Sequence, residues 1–166
     1  MPPSLTRQEA ERLVNTYADL ILRLSYTYLS HTHDAQDICQ TVFLKLIERR
    51  PAFASSEHEK AWIIRTTINA CKDHLKSHWR KTTVPIEAAR HVPAPAAEPG
   101  SILASVNLLP PKYRAVIYLH YYEGYQAAEI GEILGVPLGT VHTRLARGRA
   151  KLRTLLGGTE YERQSV

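Results

Sequence analysis

Residues 84–101, VPIEAARHVPAPAAEPGS, divide the chain, because Pro85, Pro93, Pro95 and Pro99 deny backbone donors to any helix or sheet and Gly100 adds conformational freedom. On both sides of this break the apolar residues recur at helical spacing: Leu13 to Leu29, Ala35 to Ile47, Ala61 to Leu75, and again beyond Pro110 and Pro111 to about Leu156. No stretch alternates as a strand would. Proline in a first helical turn removes no hydrogen bond, so Pro110 and Pro111 mark a helix start. The expectation is an all-α chain of two small helical domains: a bundle over 1–82, an extended Pro/Ala-rich linker over 83–105, and a second helical domain over 106–158.

The 166 residues carry a formal charge of +5, which favours a polyanionic partner only if the basic groups gather on particular surfaces. They do, on two helices. No window reaches the roughly 18 apolar residues of a membrane span, and MPPSLTRQEAERL lacks the basic-then-apolar pattern of an export signal, so the chain is expected in the cytoplasm. Cys39 and Cys71, lacking CxxC spacing, are too few for a disulfide scaffold and read as reduced core thiols.

The second domain holds a helix-turn-helix. Ala127, Ile130, Ile133 and Leu134 share one helical face; Gly135, Val136 and Pro137 then interrupt, and Leu138 opens another helix. At about 100° per residue, Val141, Leu145, Gly148, Leu152 and Leu155 form one stripe, which must be packed. Opposite lie Gly139, Thr143, Ala146, Arg147 and Ala150, mostly small side chains that let a helix approach base edges. Arg144 and Lys151 on one flank, with Arg149 and Arg153 on the other, suit the two phosphate walls of a major groove. No acidic residue occurs from Leu138 to Arg153. Thr140, His142, Thr143 and Arg147 are therefore candidates for base contact, and Arg144, Arg149 and Lys151 for phosphate. A helical glycine costs about 1 kcal/mol relative to alanine, so Gly148 on the packed stripe predicts a close helix crossing.

Two further faces belong to the first domain. Over 34–49, Ala35, Ile38, Cys39, Val42, Phe43 and Leu46 make the packed side, while Asp37, Gln40, Thr41, Leu44 and Glu48 gather on the reverse. A leucine ringed by polar and acidic groups is wrong for DNA and suits a protein partner; a harmless exposed leucine is the bland alternative. Over 60–81, Ala61, Ile64, Ile68, Cys71 and Leu75 are expected inside. Trp62, Thr66, Asn69, Asp73, Lys76 and Arg80 face away, and Lys72 and Lys81 add charge. Aromatic plus basic is the composition for unstacked bases, although Trp62 also fits a packed position. The preceding FASSEHEK reads as a polar, irregular loop able to grip a flipped base.

In this order the segments resemble the extracytoplasmic-function (ECF) group of bacterial sigma factors, the minimal kind with only the second and fourth sigma regions. DAQDICQTVFLKLIER (34–49) resembles the family segment that docks on the clamp helices of the largest subunit of core RNA polymerase. The resemblance implies that Asp34, Asp37, Gln40, Thr41, Leu44 and Glu48 bind that partner. AWIIRTTINACKDHLKSHWRK (61–81) is similar to the helix that receives the promoter −10 element, which implies contacts from Trp62, Arg65, Asn69, Lys72, Lys76, Arg80 and Lys81. Residues 109–152, with their GTVxxRLxRxRxxL core, are similar to the −35-binding domain. Gln126 departs from the usual serine cap, Gly148 from alanine and His142 from lysine. Family membership implies promoter DNA as the second partner and suggests an anti-sigma factor as a third. It implies no bond chemistry, small-molecule substrate, cofactor or metal.

Two rivals stand beside this reading: a stand-alone helix-turn-helix regulator sensing a ligand through its first domain, and a recombinase with this DNA-binding tail, which would need catalytic groups beyond Asp34 and Asp37. Cys71, His74 and His78 lie near one helical side and would hold zinc only with a further ligand; Cys71 on the packed stripe argues for core.

Overall fold

The computed structural model describes residues 5–49, 51–81 and 105–156, without the side chains of 78–81. Among them are six helices and no strand: α1 (Arg7–Leu29), α2 (Thr32–Arg49), α3 (Ser56–Lys81), α4 (Pro111–Tyr121), α5 (Ala127–Leu134) and α6 (Leu138–Leu155). They fall into two compact units, α1 to α3 in the first and α4 to α6 in the second. The predicted linker, apart from residue 105, lies outside the described residues, as do 157 and 158 of the second predicted domain.

In the first unit, α1 begins well before Leu13 because the Thr6 hydroxyl oxygen accepts the Glu9 backbone N–H at 3.1 Å, satisfying a donor that the helix start leaves free. It ends at Ser30, whose left-handed φ of 54° turns the chain into α2. The three stripes close on one core. Leu13, Tyr17, Ile21, Leu24 and Tyr28 of α1 are buried with Ala35, Ile38, Val42 and Leu46 of α2 and Ile63, Ile64, Ile68 and Cys71 of α3, and each helix packs against the other two. Burial pushes the Cys71 thiol up to about 12, so it stays a neutral core group. Cys39 and Phe43, expected inside, are half-buried at the edge of that core.

The expected loop over 54–60 is largely helix. α3 starts at Ser56 because Ser55 supplies its cap: its hydroxyl oxygen accepts the His58 N–H at 3.1 Å and its carbonyl accepts the Glu59 N–H at 3.0 Å. Glu59 is thereby turned inward. Its Oε1 accepts from Tyr17 at 2.6 Å and from Arg12 at 3.1 Å, and its Oε2 accepts from Arg12 at 3.0 Å. The Arg12 hydrogen bonds outweigh burial and hold the Glu59 carboxyl below its usual range, with the Tyr17 bond adding to them. A carboxyl depressed in the folded state contributes stability that is present above its unfolded value, near 4.3, and lost as pH falls through the lower folded value. Acid melts should therefore steepen below about pH 4, and Glu59→Gln should flatten that limb by on the order of 1 kcal/mol, a modest figure because Arg12 is half exposed. Identical acid limbs in parent and variant would refute it.

In the second unit, α4 is the central rod, with every residue from Tyr113 to Leu119 buried. It packs on α5 and α6, and those pack on each other. At the start of α5, where Gln126 stands in place of the usual serine cap, the Glu129 carboxylate three residues on reaches back to accept the Gln126 N–H at 3.2 Å. Gly135, at φ 67°, ends α5 in the left-handed conformation that glycine adopts without strain. The predicted crossing at Gly148 is present, since a Cβ there would stand 3.1 Å from Ile117 Cγ1 and 3.5 Å from Tyr113 Cβ. Leu155, placed on the packed stripe by spacing, is instead 46% exposed, because the stripe outlasts the core beneath it.

Candidate functional site

α6 carries the acid-free stretch, and the structure separates its faces as the 100° spacing requires. Val141, Leu145 and Gly148 are buried against the unit, whereas Gly139, His142, Thr143, Ala146, Arg147, Ala150 and Lys151 are exposed. The Thr143 hydroxyl donates back to the Gly139 carbonyl at 2.9 Å. Thr140 and Arg144 are half-buried, because they line a groove between α6 and the first turn of α4 with Lys112, Tyr113, Pro137, Gly139, Thr143 and Arg147. At that groove three cations surround one tyrosine. Lys112 Nζ lies 5.1 Å and Lys151 Nζ 5.9 Å from the Tyr113 ring centroid, and the Arg147 side chain engages its hydroxyl. Burial raises the phenol, but Arg147, Lys112 and Lys151 outweigh it and hold Tyr113 below the usual tyrosine value. Arg149 leaves from the other flank of α6 and binds Tyr121.

α2 presents the second surface. Asp37, Gln40, Leu44 and Glu48 are exposed, Leu44 at 57%, and Thr41 is half-buried with its hydroxyl spent on the Asp37 carbonyl at 3.0 Å. Asp34 departs from the expected strip. Its carboxylate turns towards α3, with Oδ2 3.4 Å from His74 Nε2 and 3.7 Å from His31 Nδ1, which makes it a tie between helices as much as a surface group. His74 thus faces a carboxylate, and His78's side chain lies outside the described residues. Among the described residues no group of three His, Cys, Asp or Glu side chains is arranged to hold a metal ion.

The third surface is one side of α3. Arg65, Asn69, Lys72 and Lys76 are exposed, while the side chains of Arg80 and Lys81 lie outside the described residues. Trp62 is neither core nor free: it is half-buried, with Phe53 edge-on at 5.8 Å, and Phe53 in turn meets the exposed His58 ring at 5.5 Å. The His58 Nδ1 accepts the Ala54 N–H at 3.1 Å and so fixes the turn that delivers Phe53.

Residues 13–81 match the model of Sigma-70 region 2, and residues 100–152 match that of Sigma-70, region 4. The first match decides between a ligand-sensing bundle and a sigma region for the N-terminal unit. The chain is 32% identical over 162 residues to the ECF RNA polymerase sigma factor SigW of Bacillus subtilis, the match covering 87% of each chain. The chain belongs to the ECF RNA polymerase sigma factors. It is also 34% identical over 158 residues to the ECF sigma factor SigE of Mycolicibacterium smegmatis, covering 88% of this sigma factor and 61% of that one. Among solved structures, the sigma factor RpoE from Bartonella quintana, in complex with the anti-sigma factor NepR, is similar with a TM-score of 0.72 at 19% identity, over 90% of this chain and 97% of that one. At that identity the likeness shows the fold alone.

As a member of this family the sigma factor directs promoter-dependent initiation. Sequence reasoning overlooked several residues that its candidate surfaces contain. Ile47, 42% exposed, widens the apolar anchor around Leu44. Phe53 and His58, inside the FASSEHEK segment already read as able to grip a flipped base, complete the Trp62 cluster. Tyr113 and Tyr121 of α4 meet Lys151 and Arg149 of α6, and Lys112 lines the groove beside them; none of the three was singled out by spacing. No described helix of the sigma factor is long and apolar enough to cross a membrane.

Proposed function

We propose that the exposed face of α2 docks on the clamp helices of the largest subunit of core RNA polymerase, that α3 receives the −10 element, and that α6 reads the −35 element from the major groove. One observation carries this reading: a single chain presents a leucine ringed by polar and acidic groups on α2 and an acid-free helix with a small, basic outward face on α6. Leu44 supplies the apolar anchor, with Asp37, Gln40, Thr41 and Glu48 as its polar rim and Asp34 at its edge. On α3, Arg65, Lys72, Lys76, Arg80 and Lys81 hold phosphates beside Asn69. The Phe53, His58 and Trp62 rings offer a stacking surface for a base freed by strand opening. On α6, Thr140, His142, Thr143 and Arg147 face bases, and Arg144, Arg149 and Lys151 face phosphates, joined by Lys112 from α4.

The chain then performs no bond chemistry and needs no small-molecule substrate or cofactor; it lends specificity to a cytoplasmic polymerase and works where that enzyme does. Two fold relatives, RpoE and CnrH, were solved in complex with NepR and with the cytosolic domain of CnrY, which supports an anti-sigma factor as a further partner here. The test is transcription in vitro. Added to core polymerase and fragmented genomic DNA, the chain should produce transcripts from a few discrete start sites, and Thr143→Ala with Arg147→Ala should reduce them about tenfold to a hundredfold. Transcripts without preferred starts would refute the proposal.

A further inference from the structure

Tyr121 and Arg149 form an exposed pair joining the last turn of α4 to α6. Arg149 Nε donates to the Tyr121 hydroxyl at 2.5 Å, and the guanidinium carbon stands 5.5 Å from the centroid of the same ring. Tyr121 is itself braced: the His120 ring meets it edge-on at 4.8 Å, and His120 Nδ1 lies 2.8 Å from the Tyr125 carbonyl oxygen at the entrance to the helix-turn-helix. An exposed arginine ordinarily samples many rotamers, and fixing it costs entropy at the moment of binding. Here the phenol takes the Nε–H and leaves the two Nη groups, the fork that matches a phosphate bidentately. No carboxylate on α6 competes for that fork.

We propose that Tyr121 is a positioning residue, which holds Arg149 with its Nη fork directed at a phosphate on the far wall of the major groove. This rests on the reading that α6 occupies that groove. Tyr121 does not touch DNA; it restricts the arginine that does.

The test uses the full chain titrated with a random-sequence DNA duplex at several KCl concentrations. Arg149→Ala should lower the slope of log affinity against log salt by about 0.9, the signature of one lost phosphate contact. Tyr121→Phe keeps the ring and its packing. It should weaken binding about threefold with the slope unchanged, and should cost nothing further once Arg149 is alanine. An equal loss with and without Arg149, or no loss at all, overturns the proposal. If Arg149→Ala leaves the slope intact while Arg144→Ala lowers it, the positioning role is wrong and the α6 reading stands. If neither lowers it, the α6 reading itself fails.

Discussion

Replacing Leu44 by glutamate is expected to abolish promoter-directed initiation while shifting the thermal midpoint by no more than about 2 °C. The two effects separate because Leu44 is 57% exposed and contributes little to the core that α2 shares with α1 and α3. At the centre of an interface a large apolar side chain that fills a pocket accounts for about 2 kcal/mol or more, a loss of roughly thirtyfold in affinity for core polymerase. A carboxylate there adds a desolvation cost that no cation on α2's exposed strip relieves. Titration of labelled chain with core polymerase measures the loss directly. Leu155→Glu is the control: that leucine is 46% exposed at the end of α6, outside the docking face, and its replacement should leave polymerase affinity unchanged. Retained affinity in Leu44→Glu would move the docking surface off α2.

That strip was legible because helical spacing alone determines which residues share a face. Asp37, Thr41, Leu44 and Glu48 line up whatever the helix packs against. Spacing could not reveal how far a face is covered. Ile47 closes the apolar run of α2 yet is exposed, and Leu155 continues a stripe past the end of the surface it was meant to pack on. What escaped altogether were contacts between residues distant in sequence. Glu59 sits 47 residues from Arg12 and 42 from Tyr17, and in isolation reads as one more polar residue in a loop. Tyr121 lies 28 residues from Arg149, within an aromatic run that offers no hint of which ring reaches α6. Phe53 belongs to no periodic segment, so only the fold brings it to Trp62. The helix-turn-helix was the easiest element to read, since glycine, proline and the absence of acids are local facts.

Gly131→Ala should unfold a substantial fraction of the second unit although it exchanges one small residue for a better helix former. Alanine in a helix interior is favoured over glycine by about 1 kcal/mol, which by itself predicts stabilisation. Sterics oppose it. A Cβ at Gly131 would stand 2.9 Å from the Val136 carbonyl oxygen, and that obstacle is backbone rather than a side chain able to rotate away. The turn is also clamped to the same residue, because the Val136 N–H donates to the Gly131 carbonyl at 3.0 Å. Relief requires the turn to move, and with it the angle at which α6 leaves for the groove. Overpacking of this kind costs about 1–3 kcal/mol, and domains this small have only a few kcal/mol in reserve. Hydrogen exchange distinguishes the outcomes within one molecule. Amides of Ile117 and Leu145 should lose protection in the variant, while those of Ile21 and Ile68 in the first unit keep theirs. Gly139 provides the contrast: nothing lies within 4 Å of its would-be Cβ, so Gly139→Ala should leave exchange in the second unit unchanged or slower. If Gly131→Ala also exchanged as slowly as the parent, the close approach of turn to helix would not be what sets the geometry of this DNA-reading unit.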